Sequence, residues 1–493
     1  MSAANTPIAP TGAMAMSGPP YPVRRWLVLA ICCLSVGVTG INLTIVNVAL
    51  PSISADLHAS LSSLQWTVSV YSLVMACLLI LSGSMADRFG RKRIFQLGLT
   101  IFALGSLLCS LARGVGWLIT FVGVQAVGGS MLNPVAMSII VSVFPDRGER
   151  ARAIGVWGSV IGVTMAAGPV LGGLLVSDIN WRSVFWISVP IGVAAFVLAR
   201  RFVPESKAAR ARTFDPYGQA LIIVLFVSVI ATTIEGPRRG WTDPWIIALI
   251  VLAGAALIGI LLVEPRRPEP LIDLRFFRSP PFSGANLISL MMTAGLGGFL
   301  FLNTLYLQDI RGCSPLRAGV MVIPMAAGQA VAATASGRLV AARRNRLALA
   351  LGGALLAAGA FLLVALTAHT AIACLLVAYA VFGLGAGMVS PPVSHTAVAG
   401  LPLDQVGVAG ALAASARQFG SAIGVAVAGS IVANSHSGFI QSSHAAWVVI
   451  GGCGLAVLAL GIISTGSWAR DVAARNGRRL TDRADDRSEY RPA

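Results

Sequence analysis

The chain has 493 residues, of which 56% are apolar and 11% are charged, and its mean hydropathy is +0.80. A soluble globular protein of this length exposes far more polar surface, so the composition excludes that class. The formal net charge of +17 does not require a nucleic-acid partner, because membrane proteins collect Arg and Lys in their cytoplasmic loops.

Residues 1–22 are rich in Pro, Gly, Ala and Ser and carry no charge. They predict a disordered cytoplasmic tail rather than a signal peptide, because Arg24 and Arg25 directly precede a full-length apolar segment. The apolar segments that follow are each long enough to cross ~30 Å of hydrocarbon in the bilayer. We predict fourteen transmembrane helices, at 26–50, 63–86, 94–113, 115–143, 150–177, 183–203, 215–235, 244–264, 282–308, 315–341, 346–368, 371–397, 405–433 and 444–468.

The loops between these segments differ in basic content. With the N-terminus inside, the cytoplasmic segments hold 29 of the 36 Lys and Arg residues and the outer loops hold six, while Arg417 lies within a segment. Because Lys and Arg accumulate on the cytoplasmic side, this asymmetry predicts that both termini are cytoplasmic.

Three short motifs recur in the same order, at offsets of 254, 257 and 252 residues. The paired motifs are 83–88 and 337–340, 128–134 and 385–391, and 155–158 and 407–410. Gly- and Ala-rich helices can resemble each other by composition alone, but the shared order favours an internal repeat. We therefore predict an all-α membrane protein with an N-terminal six-helix bundle, an inserted two-helix linker, a C-terminal six-helix bundle and a cytoplasmic tail, at 23–203, 204–281, 282–468 and 469–493.

The loop after the second predicted helix reads GSMADRFGRKR from residue 83 to residue 93. Gly83 allows a neighbouring helix to approach closely, Gly90 permits a tight turn, and Asp87 can accept hydrogen bonds from the facing bundle. An ordinary basic cytoplasmic loop needs neither the acid nor the paired glycines. We therefore predict a cytoplasmic gate formed by Gly83, Asp87, Arg88, Gly90, Arg91 and Lys92.

The fifth predicted helix contains the segment GPVLGG at 168–173. Pro169 removes a backbone donor and bends the helix, and Gly168, Gly172 and Gly173 allow close packing between bundles. The alternative is a structural kink with no bearing on the direction of transport.

The loop at 83–93 resembles the gate-loop motif of the major facilitator superfamily, and the segment at 168–173 resembles the motif associated with antiporters in that superfamily. The segment WRSVFWISVPIG at 181–192 resembles an element of its fourteen-span drug:proton antiporter branch, with Ser188 in place of the usual Asn. The resemblance extends from about residue 26 to residue 468. It implies an alternating-access antiporter that exports hydrophobic or amphipathic small molecules across a bacterial cytoplasmic membrane. We expect a monomer without cofactor or enzymatic activity.

Two further departures from this branch remove charged side chains from its spans. Asn42 stands where the branch carries an Asp, and Val122 stands where it carries an Arg. An asparagine amide does not titrate, so Asn42 cannot carry a proton. Losing the acid and the base together leaves no unpaired charge in the bilayer. None of the nineteen acids lies near the middle of a predicted span.

Arg417 is the clear mid-span charge, and a central Arg costs ~2.5–3.5 kcal/mol on insertion scales. It either binds an anionic or carbonyl-bearing ligand or caps helix carbonyls across the bundle interface. Asp309 and Glu235, at outer ends of spans, either relay protons or are interfacial charges that reach water. The candidates for substrate binding and coupling are Asn42, Gln125, Asn303, Asp309, Arg417 and Gln418.

The sequence contains no nucleotide-binding P-loop, catalytic triad or metal-ligand spacing, which disfavours ATP-driven transport and membrane enzymes. Two alternatives to drug export remain. One is export of lipids or lipophilic metabolites, or flux without proton coupling. The other is a transport-inactive sensor or scaffold, against which the gate loop and the kink motif argue.

Overall fold

The computed structural model of the chain describes residues 22–207, 215–267, 271–398, 406–433, 438–466, 469, 471, 472 and 475. Within this part the chain folds into helices joined by short turns, and no strand is present. Most of the two predicted tails and parts of four connecting loops lie outside the described residues.

The described residues form sixteen α-helices. Their bounds are α1 Pro22–Leu57, α2 Leu61–Phe89, α3 Arg91–Ser110, α4 Val115–Val143, α5 Arg147–Asp178, α6 Ser183–Trp186, α7 Ser188–Phe202, α8 Pro216–Arg239, α9 Pro244–Val263, α10 Pro280–Leu305, α11 Pro315–Met321, α12 Ile323–Ala341, α13 Asn345–Phe361, α14 Ile372–Val398, α15 Val406–Ala433 and α16 Phe439–Ser464.

Thirteen helical stretches of the described chain are long and apolar enough to cross a membrane, and α13 is a shorter apolar helix of 17 residues. Together they correspond to the fourteen predicted segments, which confirms a polytopic helical membrane protein. The eleventh segment was predicted to extend to residue 368, but α13 ends at Phe361. Directly after it, Leu363 N donates to the Ala360 carbonyl and Val364 N to the Phe361 carbonyl, so tighter turns replace the α-helical bonding pattern.

Two predicted spans are broken into two helices each. Ile187 separates α6 from α7, and Val322 separates α11 from α12. Pro190 and Pro324 follow these breaks within the first turn of the next helix, where a missing backbone N–H is tolerated. A third span, α10, ends in a π-helical turn at Tyr306–Ile310.

Helix packing divides the molecule into two groups of helices and an inserted pair. Helices α1 to α7 pack mainly on one another, as do α10 to α16. The groups, which we call the N-bundle and the C-bundle, meet where α2 packs on α15 and where α5 packs on α11. The inserted helices α8 and α9 pack together, and α8 also lies against both α2 and α15. The residue limits of the predicted domains stay a prediction.

The side of the molecule on which residues 83–93 lie is called the gate-loop side. The other side, where α2 begins and α5 ends, is called the opposite side. Successive spans alternate in direction, so α5, α8 and α15 begin on the gate-loop side, and α9 ends there.

Candidate functional site

The gate loop is fastened to its own bundle in this conformation. Gly90 adopts φ +108 between α2 and α3, a backbone conformation that favours glycine. Asp87 pairs with Arg91 at 3.2 Å, and Arg91 also donates to the Ser138 carbonyl at 3.4 Å. Lys92 donates to the Arg200 carbonyl at 2.8 Å. The predicted bond from Asp87 to the facing bundle is therefore not made in this conformation.

Two further members of the predicted gate leave space around them. A Cβ built on Gly83 would have no neighbour within 4 Å, so no helix packs against this glycine here. The Arg88 guanidinium lies 5.7 Å from the ring centroid of the adjacent Phe89, which is 51% exposed. The gate residues are thus brought together in one loop, and among the described residues no hydrogen bond joins this loop to the C-bundle.

The kink motif of α5 packs backbone against backbone on two neighbouring helices. A Cβ on Gly172 would lie 3.0 Å from the Ile45 carbonyl of α1, and one on Gly173 would lie 2.6 Å from Leu316 Cα of α11. The motif's Gly168 faces Thr44 in the same way. Each position therefore requires glycine for the close approach of two helices.

The hydrogen bonds that join the bundles in the described chain all lie on the opposite side. Gln65 and Ser69 of α2 donate to the Ala426 and Ala422 carbonyls of α15, at 2.9 and 3.3 Å. Gln308 donates to the Val48 carbonyl of α1 at 2.9 Å. These bonds are buried or half-buried, so they hold the opposite side closed.

The gate-loop side differs, because among the described residues no hydrogen bond joins the two bundles there. Built Cβ atoms would meet nothing within 4 Å at Gly155 and Gly158 of α5 and at Gly407 and Gly410 of α15. The first pair belongs to the motif at 155–158 in the N-bundle, and the second pair belongs to its repeat at 407–410 in the C-bundle. Hydrogen bonds therefore join the bundles on the opposite side, whereas these four glycines on the gate-loop side are open, and the contact there is the apolar packing of Ile80 of α2 with Ala409 and Leu412 of α15.

A small cavity lies between the bundles near the bonded opposite side. Its volume is about 10 Å³, which is room for about one water molecule. Asn47 of α1 places a buried Oδ1 without a hydrogen-bond partner in its wall. Asn303 of α10 lies across from it and accepts a hydrogen bond from the Tyr379 hydroxyl. The complete lining is Thr44, Asn47, Val48, Pro169, Leu300, Asn303, Thr304, Leu307, Ala318 and Val322.

The cavity wall is mostly apolar with a few amides and hydroxyls. Apolar walls with sparse polar groups suit an amphipathic organic ligand, but drug-sized ligands occupy roughly 300–1,000 Å³, far more than this cavity offers in the present conformation. A ligand of that size needs the bundles to move apart. Pro169 of the kink motif and the predicted candidate Asn303 therefore belong to one site.

Asn42 belongs to a separate, uncharged network inside the N-bundle. Its amide donates to Gln125 Oε1 at 3.1 Å, and Gln125 Nε2 donates to Ser106 Oγ at 2.7 Å. Val122 is 1% exposed and packs in the surrounding core. The structure thus brings together the two candidates Asn42 and Gln125, in a place without a charged side chain.

The remaining candidates are apart from this network. Arg417 is half-buried in α15, and its guanidinium contacts no acidic side chain within the described chain. Its carbonyl accepts a hydrogen bond from Thr293 at 2.7 Å. The next residue, Gln418, is also half-buried. Asp309 is exposed in the π-helical turn, beside the cross-bundle bond of Gln308.

Glu235, the other edge acid, is held by neighbours on the opposite side. It accepts a hydrogen bond from Trp66 Nε1 at 3.1 Å and pairs with Arg238 at 2.7 Å. These contacts favour a structural role, in which the acid ties α8 to α2.

Sequence reasoning did not predict the contacts of three polar residues. Gln65 and Gln308 join the two bundles, and Tyr379 joins α14 to α10 within the C-bundle. Gln65 and Tyr379 lie in apolar helices with no motif around them. The sequence did offer one signal. Burying an amide or a hydroxyl without a partner is costly, so each of these residues needs a hydrogen-bond partner.

Within the described residues, no group of three or more His, Cys, Asp or Glu side chains could hold a metal ion. The described cysteines are free. Two helical bundles with a small cavity between them define a membrane transporter.

The chain belongs to the Major Facilitator Superfamily, whose family model matches residues 32–425. It is 33% identical over 389 residues to the multidrug resistance protein Stp of Mycobacterium tuberculosis, covering 79% of this chain and 72% of Stp. It is 34% identical over 412 residues to the tetracenomycin C resistance and export protein of Streptomyces glaucescens, covering 83% and 76%. Against the multidrug efflux pump LfrA of Mycolicibacterium smegmatis, identity is 32% over 413 residues, covering 83% and 81%.

Solved structures confirm the fold. A peptide transporter POT in complex with sulfate superposes with a TM-score of 0.66 at 18% identity, covering 93% of this chain and 96% of that chain. The human organic anion transporter MFSD10 gives a TM-score of 0.62 at 15% identity, covering 90% and 100%. The resemblance inferred from the gate loop and the kink motif is therefore confirmed, and the protein is a transporter and not an enzyme.

Proposed function

We propose that this protein exports hydrophobic or amphipathic small molecules from the bacterial cytoplasm, by alternating access of a site between its bundles. The observation that carries the proposal is the contrast between the bonded opposite side and the separate glycine pairs on the gate-loop side. Relatives named for multidrug resistance and antibiotic export support this direction of transport.

The gate-loop side is assigned to the cytoplasm, with both termini there, because the basic loops lie on that side. In this orientation the conformation is inward-facing. A lipophilic molecule enters between the bundles, contacts the amides of Asn47 and Asn303, and is released when the opposite side opens. We propose a single chain as the transporting unit, since both faces of the cavity come from one chain.

Proton coupling is the part of the proposal that departs from the branch. The network around Asn42 contains no titratable acid, so the proton needs another carrier. Asp309 is exposed beside the Gln308 bond that closes the opposite side. Protonation there can alter the closure, and Asp309 is the proposed coupling residue.

The test is reconstitution of the purified protein in proteoliposomes with an imposed pH gradient. The panel consists of a lipophilic cation, a neutral antibiotic and a fluorescent phospholipid. We expect transport of the first two to rise with the gradient in the wild type and not in Asp309→Asn. Asp243→Asn is the matched control, since Asp243 is a half-buried helix-capping acid on the same side.

Other results select the alternatives. If the wild type transports the panel members at the same rate with and without the pH gradient, the protein is an uncoupled facilitator. Movement of the phospholipid alone indicates a lipid exporter, and no transport of any panel member favours a sensor or scaffold.

A further inference from the structure

Two buried acids meet at the gate-loop end of the inserted helices. Asp215 directly precedes α8 and is 6% exposed, and Glu264 directly follows α9 and is 1% exposed. One oxygen of each has a backbone partner. Asp215 Oδ1 accepts from Gly218 N at 3.0 Å, and Glu264 Oε2 accepts from Ile272 N at 3.4 Å. Each acid is therefore anchored by one oxygen only.

The second oxygens are the unusual feature. Asp215 Oδ2 and Glu264 Oε1 are both buried, and neither has a hydrogen-bond partner within the described chain. Both point to the same spot on α8. A Cβ built on Gly218 would lie 2.9 Å from Asp215 Oδ2 and would also meet Glu264 Oε1. Two unpartnered carboxyl oxygens thus face each other across a glycine that leaves room for them.

The described cations near this pair form no ion pair with either acid. Arg267 is exposed, and its guanidinium lies 4.8 Å from the ring centroid of Tyr217. Arg266 donates to the Leu262 carbonyl at 2.7 Å.

The following segment contributes the ion pair Arg275–Asp273 at 2.6 Å, and that carboxylate raises the pKa of the Arg275 guanidinium. From α2, the contact near this end is the uncharged Cys77 carbonyl, which accepts from Gln219 at 2.8 Å. Within the described chain, no charged group from these elements forms an ion pair with Asp215 or Glu264, and Arg267 acts on Glu264 only at longer range.

Two buried carboxylates without a cation repel each other and lose their hydration, so both are not ionised together. We propose that Asp215 and Glu264 form a proton-binding site, in which the Glu264 carboxyl donates one shared proton to the Asp215 carboxylate. The proton comes from the cytosolic solution and returns to it. This site is independent of the substrate and of the coupling residue proposed above.

The position of the pair gives the proton a structural consequence. Glu264 also holds the Ile272 backbone, and Leu271 and Ile272 pack on a cluster that contains Ile80 of α2 and Leu412 of α15. With the proton bound, the start of α8, the end of α9 and this segment are joined. Release of the proton sets two negative charges against each other and separates them. The site therefore links cytosolic pH to the contact between α2 and α15.

Infrared difference spectroscopy of the purified full-length protein in lipid nanodiscs tests the site without any transport. We expect the wild type to show a carbonyl band of a protonated carboxylic acid at neutral pH, which disappears on alkalinisation. Glu264→Gln is expected to abolish this band and Asp215→Asn to shift its titration. Asp243→Asn, which alters the equivalent cap of α9 on the opposite side, is expected to leave it unchanged.

The unmodified protein provides a second measurement if the variants do not fold. Labelling glutamate carboxyls with carbon-13 is expected to shift the band, which assigns it to Glu rather than Asp. A band that survives Glu264→Gln, or that does not shift with labelled glutamate, overturns the proposal. Loss of the band at neutral pH on addition of Na⁺ or Mg²⁺ also overturns it, because the pair then binds a metal cation instead of a proton.

Discussion

Asn42 shows how a single residue changes what the N-bundle can do. The Asn42 side chain donates a hydrogen bond from Nδ2 to Gln125, while its Oδ1 is buried without a hydrogen-bond partner in the described chain. An acid at this position would be ionised beside an amide oxygen, with Val122 where a cation is needed. The network is therefore consistent with loss of the acid and the base as a pair.

Asn42→Asp alone is expected to leave gradient-driven efflux unchanged and to destabilise the protein at neutral pH. A buried charge without a partner costs about 3 kcal/mol, so the midpoint of thermal unfolding falls. Efflux in proteoliposomes and unfolding in detergent measure the two effects. Asn42→Asp combined with Val122→Arg is expected to recover the stability. A large gain of coupled efflux from Asn42→Asp alone contradicts the argument.

For single residues, the sequence predicted both Asn42 and Gln125 as candidate site residues, but it did not predict that they bond each other. Both are polar residues in apolar helices, and such residues find partners, but the sequence does not say which. Tyr379 was not predicted as the partner of Asn303 for the same reason. Position in three dimensions, rather than residue type, selects the partner.

Among the helices, α5 and α11 pack backbone against backbone across the bundle interface. Gly173→Ala would place a Cβ 2.6 Å from Leu316 Cα, in a backbone that cannot move away cheaply. Overpacking costs ~1–3 kcal/mol, so we expect the closed opposite side to lose population about tenfold. Spin-label distances across the opposite side measure this shift. Gly158→Ala is the control, since its Cβ would meet nothing within 4 Å, and equal shifts in both variants refute the prediction.

The inserted helix α8 braces the line where α2 crosses α15. Phe226 of α8 stacks on Phe419 of α15 with ring centroids 4.2 Å apart, and Ser430 donates to the Thr233 carbonyl at 2.5 Å. The insert therefore contacts the C-bundle directly, in addition to its hydrogen bonds with α2.

Phe226→Ala is expected to lower stability by about 1 kcal/mol, because an aromatic pair contributes ~0.5–1.5 kcal/mol beyond its buried area. Thermal unfolding of the variant in detergent measures the loss. Leu252→Ala on α9 is the matched control, since Leu252 is 47% exposed on an outward-facing helix. If both variants unfold at the same temperature as the wild type, α8 does not act as a brace.

At the scale of the helices, hydrophobic length predicted where the spans lie, and charge predicted how they alternate. The breaks at Ile187 and Val322 were not predicted, although a proline follows each. Proline in the first turn of a helix is compatible with a new helix or with a continuous one. Packing against neighbouring helices decides between them, and one sequence does not contain that information.

For the whole molecule, the repeat predicted two similar bundles but not which side of the molecule is closed. Both sides carry glycines suited to close packing: 168, 172 and 173 on one side and 155, 158, 407 and 410 on the other. The same residues serve both conformations, so their sequence cannot specify one. The structure shows which of the two conformations is present: the opposite side is the one closed by hydrogen bonds.

Paired cysteines, in a variant without the seven native cysteines, distinguish the two conformations. Ser69→Cys with Ala422→Cys is expected to form a disulfide in the resting state, because Ser69 Oγ lies 3.3 Å from the Ala422 carbonyl. Gly83→Cys with Gly410→Cys is expected to cross-link only when the gate-loop side closes, since neither glycine has a neighbour there now.

Either disulfide locks one half of the transport cycle, so each is expected to reduce efflux at least tenfold, with recovery on reduction. Gel mobility measures the cross-link, and proteoliposome efflux measures its effect. A bulky transported ligand that holds the bundles apart is expected to slow the Gly83–Gly410 cross-link and leave the Ser69–Ala422 one unchanged. If both pairs cross-link fully in one population while efflux continues, the two sides close independently, and the alternating mechanism is wrong for this protein.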